Sequence, residues 1–248
     1  FDVFYAKAFC KMIIDNKHIF KGITFGTPNG IRIERTDQQL FYLMKAAGWG
    51  RIMVAPESGS QKVLERMSKH LDLNVVPEKV RQLQKAGLEV EAFFIVGHPG
   101  EDKNTIEETR QFIKDVKFDM ASFFAFQPLP GTPIYDELIR MGSVSKTDEM
   151  TSYGVVNWVP ENWTKKEIYD IIYDFKRIMT DMYPWRFERI FAKHTLIGKF
   201  IEKISNPHDR HMLVMHVYNV RKKMTDWVFM LKHSAEIKRQ IDMVILDE

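Results

Sequence analysis

Along residues 1–142 the apolar positions switch repeatedly between a spacing near two and one near 3.6, the mark of strands alternating with helices. Ala6, Phe9, Cys10, Ile13 and Ile14 share one face of a helix expected over 5–16. Residues 21–25 and 31–33 read as short strand pieces on either side of the turn signal Asn29-Gly30. Thr36 or Asp37 then caps a helix with the stripe Leu40, Leu43, Met44 and Ala47, stopped by Gly48. Residues 51–55 form the next strand, and the continuous run Ile52-Met53-Val54 suits a sheet covered on both faces. Ser58 with Gln61 fits a capping box for a helix that turns Val63, Leu64 and Met67 inward. The following helix has Pro77 in its first turn, Val80 and Leu83 inward, and Gly87 just past its end. A strand over 90–96 comes next. Asn104 with Glu107 reads as a capping box for a helix carrying Ile106, Phe112, Ile113 and Val116. The last strand is expected over 120–126, and Thr132 caps a short helix opened by Pro133 and ended by Gly142.

Strand and helix alternating at this pace imply right-handed crossovers and a parallel sheet. Residues 143–163 change character, with Ser, Thr, Gly, Pro and Asn around Trp158 and Trp163, and read as a linker or lid. Beyond them the strand signal stops. Thr164 with Glu167 forms a capping box for a helix bearing Ile168, Ile171, Ile172, Phe175, Ile178 and Met179, stopped before Pro184. Further helices are expected over 186–204 and 208–246, separated by Asn206-Pro207. The expected organisation is an α/β part over 1–142, the linker or lid, and a helical tail over 164–248.

Composition narrows the class. Apolar residues make up 45% of the 248 and charged ones 28%, an ordinary folded composition. A net charge of +3 is too small to argue for a nucleic-acid partner. Arg221, Lys222 and Lys223 beside Trp227 are read as a solvated helix face. No run of 18 apolar residues is present, so no membrane-spanning helix is expected. The single cysteine, Cys10, excludes an internal disulfide framework and makes a reducing cytoplasm the expected setting. The chain starts at Phe1 inside what reads as a motif, and is taken as a piece lacking its amino-terminal part.

Three turns each follow a strand and open a helix: Pro56-Glu57-Ser58-Gly59-Ser60-Gln61, Gly97-His98-Pro99-Gly100-Glu101-Asp102, and Gln127-Pro128-Leu129-Pro130-Gly131-Thr132-Pro133. Turns at the carboxyl ends of parallel strands are where α/β folds hold ligands. Together with Asn29-Gly30-Ile31-Arg32, Met44-Lys45-Ala46-Ala47-Gly48 and Phe94-Ile95-Val96-Gly97, in this order and spacing, they resemble the later strands of a radical S-adenosylmethionine (SAM) enzyme. The similarity covers residues 1 to about 142 and is nearest to the branch that often carries an amino-terminal cobalamin-binding domain.

The resemblance implies a partial parallel (β/α) barrel of TIM type, here without its first strand, followed by the helical tail. It implies SAM as ligand, a [4Fe-4S] cluster on a CxxxCxxC loop, an external electron donor and a small-molecule substrate undergoing methyl transfer or oxidoreduction. Cobalamin is a candidate cofactor, in a domain preceding this chain. No CxxxCxxC occurs in the sequence; the cluster loop is expected just upstream of residue 1, so no metal ligand is assigned here. Two alternatives stay open: a cluster-less SAM-binding or scaffold protein, and a tRNA-modifying methylthiotransferase relative, against which the helical tail argues.

On the same resemblance, Glu57 faces ribose hydroxyls or an ammonium group, although the residue also suits a helix dipole. Ser58 and Gly59 belong to the same turn, Gly59 permitting close backbone approach and Ser58 doubling as a helix cap. Arg32 offers a planar fork to the methionine carboxylate or an acidic substrate, or is a surface arginine. Ile95 and Gly97 flank adenine, and Gln127 and Pro128 offer backbone groups to its edge. Glu101 is read as stabilising its loop or the next helix rather than doing acid–base work. His98, without a second ligand at zinc spacing, is read as a loop residue facing the cavity. Cys10 reads as a small hydrophobe.

Overall fold

The computed structural model describes residues 2–144 and 155–182. Three parallel strands, β1 (Arg51–Glu57), β2 (Glu89–Val96) and β3 (Met120–Ala125), pair in the order β1-β2-β3. The helices α1 (Val3–Asp15) and α2 (Gln38–Ala47) precede the sheet. Between β1 and β2 lie α3 (Gln61–Arg66) and α4 (Val76–Lys85), and α5 (Lys103–Val116) joins β2 to β3. The helices α6 (Pro133–Arg140) and α7 (Lys165–Met182) follow. The result is an α/β fold.

The strand pieces expected over 21–25 and 31–33 shrink to two parallel bridges beside β1, Phe25 to Trp49 and Ile31 to Val54. Residues Ile33–Arg35 are instead a 3-10 turn. A side chain replaces the missing ladder: Thr27 Oγ1 accepts from the Met53 amide at 2.9 Å. Pro28, next in line, has no N–H to donate.

Strand pleating sorts side chains onto two faces. Ile52, Val54, Val90, Ala92, Phe94, Val96, Phe123 and Ala125 are buried under the helices. Phe94 is fully buried, stacked on Phe123 at 5.5 Å and edge-on to Phe118 at 5.8 Å. Burying such a ring stabilises by about 1.5–3 kcal/mol. The opposite face carries half-buried Met53, Phe93 and Ile95, with Phe124 38% exposed. The expected two-sided burial of 52–54 is therefore not what forms: burial alternates along β1. At the amino-terminal end of this open face a polar network sits instead. Arg51 Nη1 donates to Glu91 at 3.0 Å, and the Ser122 hydroxyl to the same carboxylate at 3.0 Å.

Asp37, not Thr36, caps α2, its carboxylate accepting from the Leu40 amide at 2.9 Å; Gly48 ends the helix at φ 105°. Gly87 and Gly142 stand just past α4 and α6, as expected, with φ of 81° and 68°. Two expected caps are corrected. Ser60 rather than Ser58 is the N-cap of α3, and its side chain makes no capping bond. Asp102 rather than Asn104 caps α5, because Asp102 is still extended and reaches the Asn104 and Thr105 amides at 2.9 Å. The Thr164–Glu167 box does form at α7, with bonds of 2.8 and 3.2 Å.

The first tail helix shares the core of the sheet. Phe175 of α7 is fully buried, 5.4 Å from Phe123, and Asp174 pairs with Arg110 of α5 at 2.9 Å. The helices expected over 186–204 and 208–246 lie outside the described residues. No described helix is long and apolar enough to cross a membrane.

Candidate ligand site at the strand ends

All three sequence turns lie on one edge of the sheet, at the carboxyl ends of β1, β2 and β3. At the first, the pairing register slips between Val54 and Glu57. Glu57 turns left-handed, φ 69°, a conformation that costs a residue with a Cβ about 1–2 kcal/mol. Its carboxylate accepts from Lys69 Nζ at 2.9 Å. Lys69 went unread in the sequence because the reversal after α3 is made without glycine. Ser68 adopts φ 54°, and the Lys69 amide closes back on the Leu64 carbonyl at 2.8 Å.

Ser58 and Gly59 join this turn to α5. The Ser58 side chain is fully buried with Oγ 3.2 Å from Thr109 Oγ1, which also accepts from the Gly59 amide at 3.0 Å. A Cβ on Gly59 would stand 2.6 Å from Phe112 Cβ and from Thr109 Cα. The close approach that Gly59 permits is thus that of a helix, and the space is already filled.

In the β2 turn, Gly97 adopts φ 87°, and a Cβ there would meet Ile168 of α7 at 3.1 Å. Glu101, 7% exposed, accepts from the Gly97 amide at 2.6 Å and the His98 amide at 3.2 Å, and so holds the loop. Burial outweighs those two bonds and pushes its carboxyl up to about 7. Burial also depresses the His98 imidazole to about 4. Ile95 packs against the small apolar cluster of Phe126, Leu138 and Val144, together with Trp158.

Residues 155–163, within the expected linker or lid, cross this edge. Gln127 Nε2 donates to the Val155 carbonyl at 2.6 Å, and its Oε1 accepts from Asn157 at 2.9 Å. Pro128 is buried beside it. The Trp158 indole lies edge-on to Phe126 and donates to the Ser143 hydroxyl at 2.9 Å. The Trp163 indole donates to the Glu101 carbonyl at 3.3 Å.

Ion pairs tie the three turns together: Arg66 of α3 to Glu137 of α6, and Lys62 of α3 to Asp102 at 3.1 Å. Arg32 stays apart, exposed and paired locally with Glu34 at 2.7 Å. An open groove of about 1020 Å³ runs between the 67–77 connection and α5, and Gly59 and Lys69 stand in its wall. Its other ionisable groups, Lys62, Glu65, His70, Asp72, Glu108 and Asp115, are of mixed sign and select no ligand class.

The edge therefore presents a carboxylate beside an ammonium, with a sheet face carrying Met53, Phe93 and Phe124 nearby on the same strands. That donor set fits a ligand that is zwitterionic at one end and flat and apolar at the other. It does not fit an iron–sulfur cluster. Cys10 is the single thiol of the chain, buried in α1 and pushed up to about 11 by that burial. No group of three His, Cys, Asp or Glu able to hold a metal occurs among the described residues.

The chain has recognisable relatives. It is 31% identical over 167 residues to cytidylyl-2-hydroxyethylphosphonate methyltransferase of Streptomyces wedmorensis, covering 63% of this chain and 31% of that protein. It is 32% identical over 112 residues to tRNA-2-methylthio-N(6)-dimethylallyladenosine synthase of Acinetobacter baylyi, covering 44% and 23%. The chain thus spans about a third or less of the curated relatives it matches. Among solved structures it is similar to the radical SAM methyltransferase TsrM of Kitasatospora setae, bound to cobalamin and a [4Fe-4S] cluster. That likeness has a TM-score of 0.49 and 17% identity, over 64% of this chain and 32% of the other. The sequence model of the radical SAM superfamily matches residues 4–113. Over those residues the chain is similar to the radical SAM superfamily.

Proposed function

We propose that this chain binds S-adenosylmethionine across the carboxyl ends of β1, β2 and β3, as the SAM-binding part of a radical enzyme acting on a small molecule by methyl transfer or oxidoreduction. The observation that carries the reading is that the three strand-end turns share one edge of the parallel sheet, with the Glu57–Lys69 pair at the first of them. The match of residues 4–113 to the radical SAM superfamily and the similarity to a methyltransferase support it. In this reading the sheet is part of a parallel barrel. Glu57 and Lys69 face the polar groups of the ligand, and the apolar wall of the open face faces its flat part. The residues 155–163 limit water access, as binding in a low-dielectric site requires.

The radical chemistry of the family needs a [4Fe-4S] cluster, which one cysteine cannot hold. The three thiolates, the reductant that feeds the cluster and any cobalamin therefore come from outside these 248 residues. Anaerobic iron and sulfide reconstitution of the whole gene product, followed by incubation with SAM and dithionite, is expected to release 5′-deoxyadenosine. A whole coding sequence without three further cysteines, or a loaded protein that leaves SAM intact, overturns the reading. Similarity to the tRNA-modifying synthase supports a second substrate class. Steeply salt-dependent tRNA binding would favour it over a free small molecule.

A further inference from the structure

The glycines of the three strand-end turns differ in what surrounds them. A Cβ on Gly59 would run into Phe112 and Thr109, and one on Gly97 would press on Ile168, so helices pin the first two turns. At Gly131 in the third turn, φ 84°, nothing among the described residues stands near the place of a Cβ. The same holds at Gly142, φ 68°, on the far side of α6. Helix α6 is thus bracketed by two open glycines, the kind of position at which a rigid element pivots.

Both ends of this unit are fixed, and its middle is not. Before Gly131, the Gln127 side chain is bonded to Val155 and Asn157; beyond Gly142, the Ser143 hydroxyl accepts from the Trp158 indole. The residues that hold the two ends are themselves anchored. Val156 is 1% exposed in the core of the sheet, and its amide donates to the Tyr169 hydroxyl of α7 at 3.0 Å. Between the anchors, α6 packs broadly on no described helix or strand. Its buried side chain, Leu138, sits with Phe126 and Val144 in a cluster separate from the main core. The polar contact that ties α6 to another described element is Glu137 to Arg66 of α3. The Arg66 stem passes Gly100 of the β2 turn on the way, 3.5 Å from where a Cβ would be. Both charged groups are partly exposed, so water and salt weaken the pair.

What α6 covers gives the arrangement its meaning. Leu138 shares its cluster with Ile95, on the open face of β2 near its carboxyl end, and with Phe126 just past β3. Turning α6 outward uncovers this end of the apolar wall and leaves the main core intact. We propose that α6 is a gate over the carboxyl ends of β2 and β3, pivoting at Gly131 and Gly142 and latched by the Arg66–Glu137 ion pair. The gate rests on the nucleoside-binding reading above and adds to it how a ligand reaches the wall. The helix opens first, and the ligand then enters against Ile95 and Phe126. A weak latch suits this task, because such a gate opens far more often than the protein unfolds.

Two measurements on the full chain test it. An eight-residue helix detached from its cluster does not keep its hydrogen bonds, so amide hydrogen exchange reads the opening. Without ligand, the α6 amides are expected to exchange by local opening that low urea leaves unchanged, while the α5 amides respond to urea. Glu137→Gln removes the latch and no buried group, and speeds α6 exchange by about two- to fivefold. Sodium chloride at about 0.5 M does the same to the native protein and adds nothing in the variant. In stopped-flow binding of S-adenosylhomocysteine, the variant associates about two- to fivefold faster with an unchanged dissociation rate, because the ligand binds the open state. Exchange of α6 only together with α5, through global unfolding, overturns the gate. Local opening of α6 with native association rates in Glu137→Gln overturns its role in entry and leaves the nucleoside reading intact. Failure of both proteins to bind the probe overturns both.

Discussion

The Glu57 carboxylate and the Lys69 ammonium lie 2.9 Å apart, brought together by two left-handed residues, Glu57 itself and Ser68. A partly exposed ion pair such as this one contributes about 0–1 kcal/mol, less than the backbone strain at Glu57. Glu57→Gly is expected to raise stability by about 1 kcal/mol, since glycine adopts φ 69° freely, while weakening S-adenosylhomocysteine binding by about tenfold. Glu57→Gln keeps the strain and loses binding alone. Urea unfolding and calorimetry read the two effects separately. A Glu57→Gly variant that binds as the native protein does removes Glu57 from the site.

The contact between the β1 turn and α5 gives a steric prediction. Gly59→Ala places a methyl group 2.6 Å from the backbone Cα of Thr109, which cannot move without shifting α5. A loss of about 1–3 kcal/mol is expected in urea unfolding. Thr109→Val is the polar counterpart: it leaves the Gly59 amide without its acceptor and the buried Ser58 hydroxyl without Thr109, again costing about 1–3 kcal/mol. A Gly59→Ala protein of native stability would show that the turn and the helix are not in this contact.

Two titrating groups of one turn pull stability in opposite directions. The Glu101 carboxyl is raised from 4.5 to about 7 in the folded chain. As pH climbs from 4.5 to 7 the unfolded chain gives up this proton first, so stability falls, by up to about 1.4 kcal/mol per unit. The His98 imidazole is lowered from 6.5 to about 4. As pH drops through that window the unfolded chain takes up the proton first, so stability falls towards acid with the same limiting slope. Between pH 4.5 and 6.5 the two slopes nearly cancel. Relative to the native protein, Glu101→Gln is expected to gain stability with rising pH across this window, and His98→Phe to lose it. Parallel pH profiles for all three proteins in urea unfolding would refute the pairing.

The order of strands and helices was legible because several turns carried glycine at the position where the backbone needed it, as at Gly48, Gly97 and Gly131. Errors arose where side chains substitute for backbone. Thr27 takes over a ladder bond from an expected strand, and Asp102 captures the cap that Asn104 and Glu107 suggested. In the site, the turns were found but their partners were not. Gly59 and Gly97 read as openings for a ligand, yet Phe112 and Ile168, distant in sequence, stand against them. Lys69 was invisible because a serine makes the left-handed reversal that glycine normally marks. His98 was placed in its loop correctly, but its tautomer depends on the Pro99 carbonyl, which no sequence pattern encodes.

Whether α7 is a separate tail or part of the sheet's own folding unit is decided at Phe175. This ring is fully buried against Phe123 of β3, and the Arg110 guanidinium of α5 lies over it at 5.7 Å while pairing with Asp174. Deleting it opens a cavity between helix and sheet, for which about 3–5 kcal/mol is the usual cost. Because that cavity touches β3, Phe175→Ala is expected to lower the unfolding midpoint of the whole sheet. Fluorescence from Trp49, beside β1, and far-ultraviolet circular dichroism should then fall together in one transition. An independently folding tail predicts otherwise: the Trp49 signal would keep its native midpoint while part of the helical signal melts early. Arg110→Met serves as the control, since it retains much of the apolar contact over Phe175 and gives up a partly exposed ion pair worth about 0–1 kcal/mol. Its midpoint should lie close to that of the native protein, which locates the coupling in the buried ring rather than in the charges above it.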